Sequence, residues 1–177
     1  MRVSLTIGIL ALVAVSIPAA PFASVRDFGR GPGEWQLNSK MRDKSRSRVV
    51  ADGRQGDPCV RLEAVFQVGW EAFKMPVPAG AIPDDRRTLV FLARAQEGVR
   101  AFDVRLGLAD GSWWRANAGL TTTWQRCAIR REKFTCCHVP KGKVVGATPD
   151  FATIRWIQFE PLVARKPGSY MVWLDEI

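Results

Sequence analysis

Histidine is almost missing from this chain: His138 is the only one among 177 residues. No HExxH pair can therefore form, and neither a nucleophile elbow nor a phosphate-binding glycine loop occurs. Helical periodicity is missing too, since no long window repeats its apolar residues every 3.6 positions. Cysteine is sparse, with Cys59, Cys127, Cys136 and Cys137 only. Cys136, Cys137 and His138 lie together in a stretch that reads as a loop, but no CxxC pair or second histidine completes a tetrahedral metal set. These absences argue against an enzyme. Paired carboxylates of a glycosidase type escape the argument, because they can lie far apart in sequence.

Long apolar runs are reduced to one. Arg2 precedes Val3 to Ile17, and small residues follow at Ala19, Ala20, Ala23 and Ser24. A charged start, a short apolar stretch and a small-residue cleavage zone describe a secretory signal peptide. The run is short of the roughly 20 residues a membrane span needs. We read residues 1–23 as the signal, with a cut between 19 and 24, and residues 24–177 as one domain without a membrane span. The expected location is extracytoplasmic, periplasmic or secreted. Export permits disulfides. Cys127 with Cys136 or Cys137 would close a short loop, leaving Cys59 the remaining partner. Four thiols allow three pairings, and spacing alone does not choose.

What is plentiful is apolar residues, at 47%, tryptophan, with seven, and positive charge, with a formal net of +9. The first two supply a core. The third attracts polyanions in general, acidic polysaccharide among them. The densest basic tract, Lys40 to Arg48, alternates cations at 40, 42, 44, 46 and 48. As a strand it would present a docking stripe; as a loop it is a solvated tract. It lacks the interleaved aromatics that stack nucleic-acid bases, which with the export signal speaks against nucleic acid.

The stretch Thr88 to Trp114 shows the architecture best. Phe102, Val104, Leu106 and Leu108 alternate with Asp103, Arg105 and Gly107, a two-residue period that separates a core face from an outer face. Turn signals at Glu97-Gly98 and Asp110-Gly111 bracket that run, and a half-buried antiparallel hairpin is the economical reading. Val60, Leu62, Ala64, Phe66 and Val68 alternate in the same way. Short strands are expected at Val25–Phe28 and around Trp35, with others at Gln125–Phe134, Ala152–Phe159 and Ser169–Ile177. Seven to nine strands at regular turn spacing predict an all-β antiparallel sandwich.

The order of the pieces also resembles a known layout. It runs through Asp27-Phe28, CVRLEAVF from Cys59, Leu92-Ala93-Arg94, Asp110-Gly111-Ser112-Trp113, Leu120-Thr121 with Trp124, WIQF from Trp156 and WLDEI from Trp173. Together these resemble the galactose-binding-like jelly roll of carbohydrate-binding modules and of the complex I intermediate-associated protein family. The resemblance implies a non-catalytic module that recognises a glycan. Such modules are often appended to glycoside hydrolases; here no catalytic domain follows the last strand, which weakens a targeting role. The resemblance also implies a structural calcium, with Asp27 and Asp175 at the matching positions and oxygen ligands suited to it. Read as residues alone, Asp175 and Glu176 are ordinary strand-end carboxylates.

Sugar rings present apolar C–H faces, so exposed indoles beside polar groups are the expected site chemistry. Trp113 and Trp114 are neighbours on a strand and must point to opposite faces; Trp156 and Gln158 fall outward if Ile157 and Phe159 fall inward. The candidate ligand-binding set is Trp70, Arg94, Asp103, Arg105, Trp113 and Trp114, on the concave sheet. A protein-interaction or structural role for the same sandwich, without a sugar, is the alternative.

Overall fold

The computed structural model describes Val25, Phe28 and residues 33–39, 47–54, 57–66, 70–163 and 168–177. The expected signal segment, Asp27 and most of the Lys40–Arg48 tract lie outside the described residues. Among the described residues there are eleven strands: β1 (Gln36–Ser39), β2 (Arg48–Arg54), β3 (Asp57–Phe66), β4 (Glu71–Pro76), β5 (Thr88–Ala95), β6 (Val99–Leu108), β7 (Trp113–Gly119), β8 (Gln125–Arg130), β9 (Thr135–His138), β10 (Ile154–Val163) and β11 (Gly168–Asp175). They form two antiparallel sheets. Sheet A has the order β1-β4-β10-β6-β7-β9 and sheet B the order β2-β3-β11-β5-β8. Among the described residues, no helix is long and apolar enough to cross a membrane.

Alternation decides which side chains fill the space between the sheets. Phe102, Val104 and Leu106 of β6, with Ile157 and Phe159 of β10, are fully buried from sheet A. Val60, Leu62, Ala64, Phe91 and Ala93 meet them from sheet B. Phe91, Phe102 and Phe159 lock the layers together edge to face, with ring centroids 5.3 to 6.4 Å apart. Truncating such a ring costs about 3–5 kcal/mol.

The Asp110-Gly111 turn forms as expected. Gly111 takes a φ of 85°, which favours glycine. Asp110 Oδ1 accepts from the Ser112 N–H at 2.8 Å and its hydroxyl at 2.7 Å. The turn closes the β6–β7 hairpin. The Glu97-Gly98 turn does something else: it carries the chain from β5 in sheet B to β6 in sheet A, so these two runs face each other across the core and do not pair. The stretch around Cys136 is likewise a strand, β9, pairing with β7. Val25 and Phe28 form no strand with one another; Phe28 is buried, and the Val25 N–H donates to the Ile177 carbonyl at 2.7 Å.

No disulfide forms among the four cysteines, all of which lie among the described residues as thiols. The topology explains this. Cys59 on β3 and Cys127 on β8 are separated by β11 and β5, about 14 Å at ordinary strand spacing. Cys136 and Cys137 sit at the edge of the other sheet.

A candidate glycan-binding face on sheet A

Three cross-strand rows make up the outer surface of sheet A. The first aligns Pro76, Trp156, Gly107, Trp113 and His138. The second aligns Lys74, Gln158, Arg105, Arg115 and Thr135, and the third Glu160, Asp103 and Asn117, with the Asn38–Ala72 pair on the neighbouring strands. Each row lies two residues from the next, so all these side chains leave the same face.

The aromatic row depends on a missing side chain. A Cβ at Gly107 would fall 1.8 Å from Cε2 of Trp156, so that indole lies on bare backbone. Trp113 meets it edge to face, with centroids 4.8 Å apart and planes at 84°. His138 flanks Trp113 at 6.0 Å, and the Lys74 ammonium stands 4.6 Å over the Trp156 ring. Both indoles are half-buried, so part of each remains open to solvent.

The polar rows form one network. Asp103, whose side chain is 2% exposed, accepts from Arg105 at 2.8 and 3.1 Å, and Arg115 lies 3.3 Å away. Arg105 also donates to Glu160 at 2.9 Å. Burying such charges is costly unless they are paired, and this bridging guanidinium pairs both carboxylates. Burial still pushes the Glu160 carboxyl above its ordinary range, against the pull of Arg105 and with the Asp103 charge adding to the rise. Gln158 is fully buried and accepts from Asn38 at 3.1 Å. Two atoms of this network, Asp103 Oδ1 and Gln158 Nε2, have no partner among the described residues. A buried polar atom left unpaired is uncommon, and both lie beneath the outer surface, out of contact with solvent. Cys137 adds a thiol at the margin, donating to the Trp113 carbonyl at 3.4 Å; burial raises its pKa despite Arg105 and Arg115.

The structure brings together Asp103, Arg105 and Trp113 of the sequence-derived set. Three others lie elsewhere. Trp114 points into the core, 2% exposed, with Nε1 donating to Ser112 Oγ at 3.1 Å. Arg94 is on sheet B, on the opposite outer surface. Trp70 precedes β4 at the end away from Pro76, six residues or roughly 20 Å along the strand from the aromatic row. Lys74, Arg115 and Glu160 join the site unforeseen. Parity with Trp113 and Trp156 would have aimed Arg115 and Glu160 outward; only the register brings Lys74 in. Asp175, expected at a calcium site, is buried and accepts the Glu176 N–H at 3.0 Å. Among the described residues, no three His, Cys, Asp or Glu side chains group to hold a metal.

A recess of about 630 Å³ lies elsewhere, at one end of the sandwich. Its walls include Ile82, Leu89, Phe151, Ile154 and Ile177, which are flanks of the core cluster. It lacks the aromatic pair with converging polar groups, so the sheet A face is the stronger candidate.

No protein-family model matches the chain, and no curated protein matches it in sequence. Solved structures do. A family 11 carbohydrate-binding module of a cellulosomal cellulase from Clostridium thermocellum superposes with TM-score 0.62 at 16% identity, over 85% of this chain and 92% of that one. A family 11 module from the same organism, in complex with a β-1,3-1,4-mixed-linked tetrasaccharide, gives 0.65 at 14% identity over 86% and 95%. A family 30 module of another C. thermocellum cellulosomal cellulase gives 0.52 at 16% identity over 81% and 88%. Such identities speak for the fold alone, and that fold is the β-sandwich of carbohydrate-binding modules.

Proposed function

We propose that this chain is an exported, non-catalytic glycan-binding module, and that the outer face of sheet A is its ligand surface. The observation that carries the reading is the Trp156–Gly107–Trp113 row beside the part-exposed Arg105, Arg115 and Glu160 of the polar network. Indole surfaces take the apolar faces of sugar rings, and the carboxylate, amide and guanidinium groups order the hydroxyls. Lys74, on a flexible stem over Trp156, is the group a ring would displace. On this face Lys74, Arg105 and Arg115 stand against Asp103 and Glu160, so the charge is nearly balanced. That balance favours a neutral polysaccharide. The module fold shared with the family 11 structures supports the reading, as does the apolar segment behind Arg2 for export.

Affinity electrophoresis through gels containing soluble neutral β-glucans tests it. The account expects retardation of the wild type in at least one gel, and loss of retardation in a folded Trp113→Ala variant. No retardation by any neutral glycan would leave the face to a protein partner and overturn the proposal.

A further inference from the structure

Sheet B carries a second aromatic and cationic row, on the other side of the molecule. The register aligns Val50, Arg61, Trp173 and Arg94 across β2, β3, β11 and β5. Ala93 pairs with Gln125, so Trp124, one residue before β8, stands beside Arg94 and extends the row. The Arg94 guanidinium carbon lies 4.1 Å from the Trp173 ring centroid and 5.6 Å from that of Trp124.

The members of this row differ in how their charges are met. Trp173 Nε1 donates to Asp52 at 3.0 Å, which fixes the ring. Asp52 is paired with Arg61 at 2.6 Å, and Glu63 with Arg61 at 2.8 Å and with Arg48. The carboxylates of this face are therefore committed. Arg94 has no carboxylate within ion-pair reach among the described residues, and its buried Nε–H has no acceptor. A guanidinium flanked by two rings meets apolar surface on its faces; with Nε buried, its outer Nη1–Nη2 edge is left to seek an acceptor. Planar oxyanions fit that fork with paired, charge-assisted hydrogen bonds.

We propose that Arg94, held between Trp173 and Trp124, is an anion-recognition site for an acidic polysaccharide. The guanidinium takes a carboxylate or sulfate group, and the flanking indoles take the sugar rings that bear it. This site is separate from the sheet A face and stands whether or not that face binds a neutral glycan. The chain's formal charge of +9 draws such a polymer in before contact.

The test is binding of the full chain to polygalacturonate, which carries carboxylates, and to dextran sulfate, with neutral dextran as baseline and single-stranded DNA as a competing polyanion. Arg94→Lys is the informative variant, because it keeps the charge and removes the planar fork. The expected result is binding to one of the two acidic polymers, weakened by about tenfold or more in Arg94→Lys, the scale of one strong charge-assisted contact. Which polymer binds tells carboxylate from sulfate. Should Arg94→Lys fail a thermal-melting check, Trp124→Ala carries the test with the same expected loss. Equal binding by wild type and folded variant, no binding to either polymer, or DNA binding with the same dependence on Arg94 would each overturn the proposal.

Discussion

Trp156 lies on Gly107 so closely that even a methyl group there would sit 1.8 Å from the indole. The two residues are register partners on β10 and β6, and Trp113 follows Gly107 on β7. Gly107 has no role in a turn; it is the low point over which two rings meet.

Gly107→Ala should therefore lift Trp156 out of place while the sandwich survives. Overpacking of this kind costs about 1–3 kcal/mol. Thermal melting should show a lowered but cooperative transition, and glycan affinity should fall with it. A variant with unchanged tryptophan emission and unchanged binding would contradict the row as described.

The Glu160 carboxyl is predicted to set a pH slope in stability. Burial raises its folded pKa above the ordinary value of 4.5, so folding favours the protonated form. Its contribution is complete below about 4.5 and is lost as pH rises through the raised folded value. Asp110, lowered mainly by its hydrogen bonds from Ser112, works in the other direction and loses its contribution as pH falls below 3.8. Denaturant titrations of wild type and Glu160→Gln across this window should show the wild type losing ground to the variant as pH increases. A difference that stays flat with pH would refute the assignment.

Thiol titration checks the cysteines. Cys137 is exposed, Cys136 half-buried, and Cys59 and Cys127 buried. An alkylating reagent should label Cys137 first, because it is the most accessible of the four. Denaturation without reductant should then release a total of four. Fewer than four would mean that a disulfide forms after all.

Much of the fold was legible because its central strands alternate cleanly. In β3, Val60, Leu62 and Ala64 point inward, and in β6 the parity that buries Phe102 and Val104 turns Asp103 and Arg105 outward. The same rule separated Trp113 from Trp114. Parity within a strand is local, however, and sheet membership is not. Arg94 and Asp103 both leave the outer side of their strands, yet the Glu97-Gly98 turn passes from one sheet to the other and puts the molecule between them. Edge strands were the other weak point. In β9 only Cys136 turns toward the core beside Trp114, so TCCH carries no apolar alternation. Lys74 became part of the site through register, a relation between β4 and β10 that no single segment encodes.

Isothermal titration with soluble neutral polysaccharides, comparing wild type with Trp113→Ala and Trp156→Ala, addresses the central claim most directly. The account predicts measurable heat with wild type and none with either variant, all three retaining a cooperative melt. A folded Trp113→Ala, Trp156→Ala double variant that binds as the wild type does would show that the ligand rests somewhere other than this row.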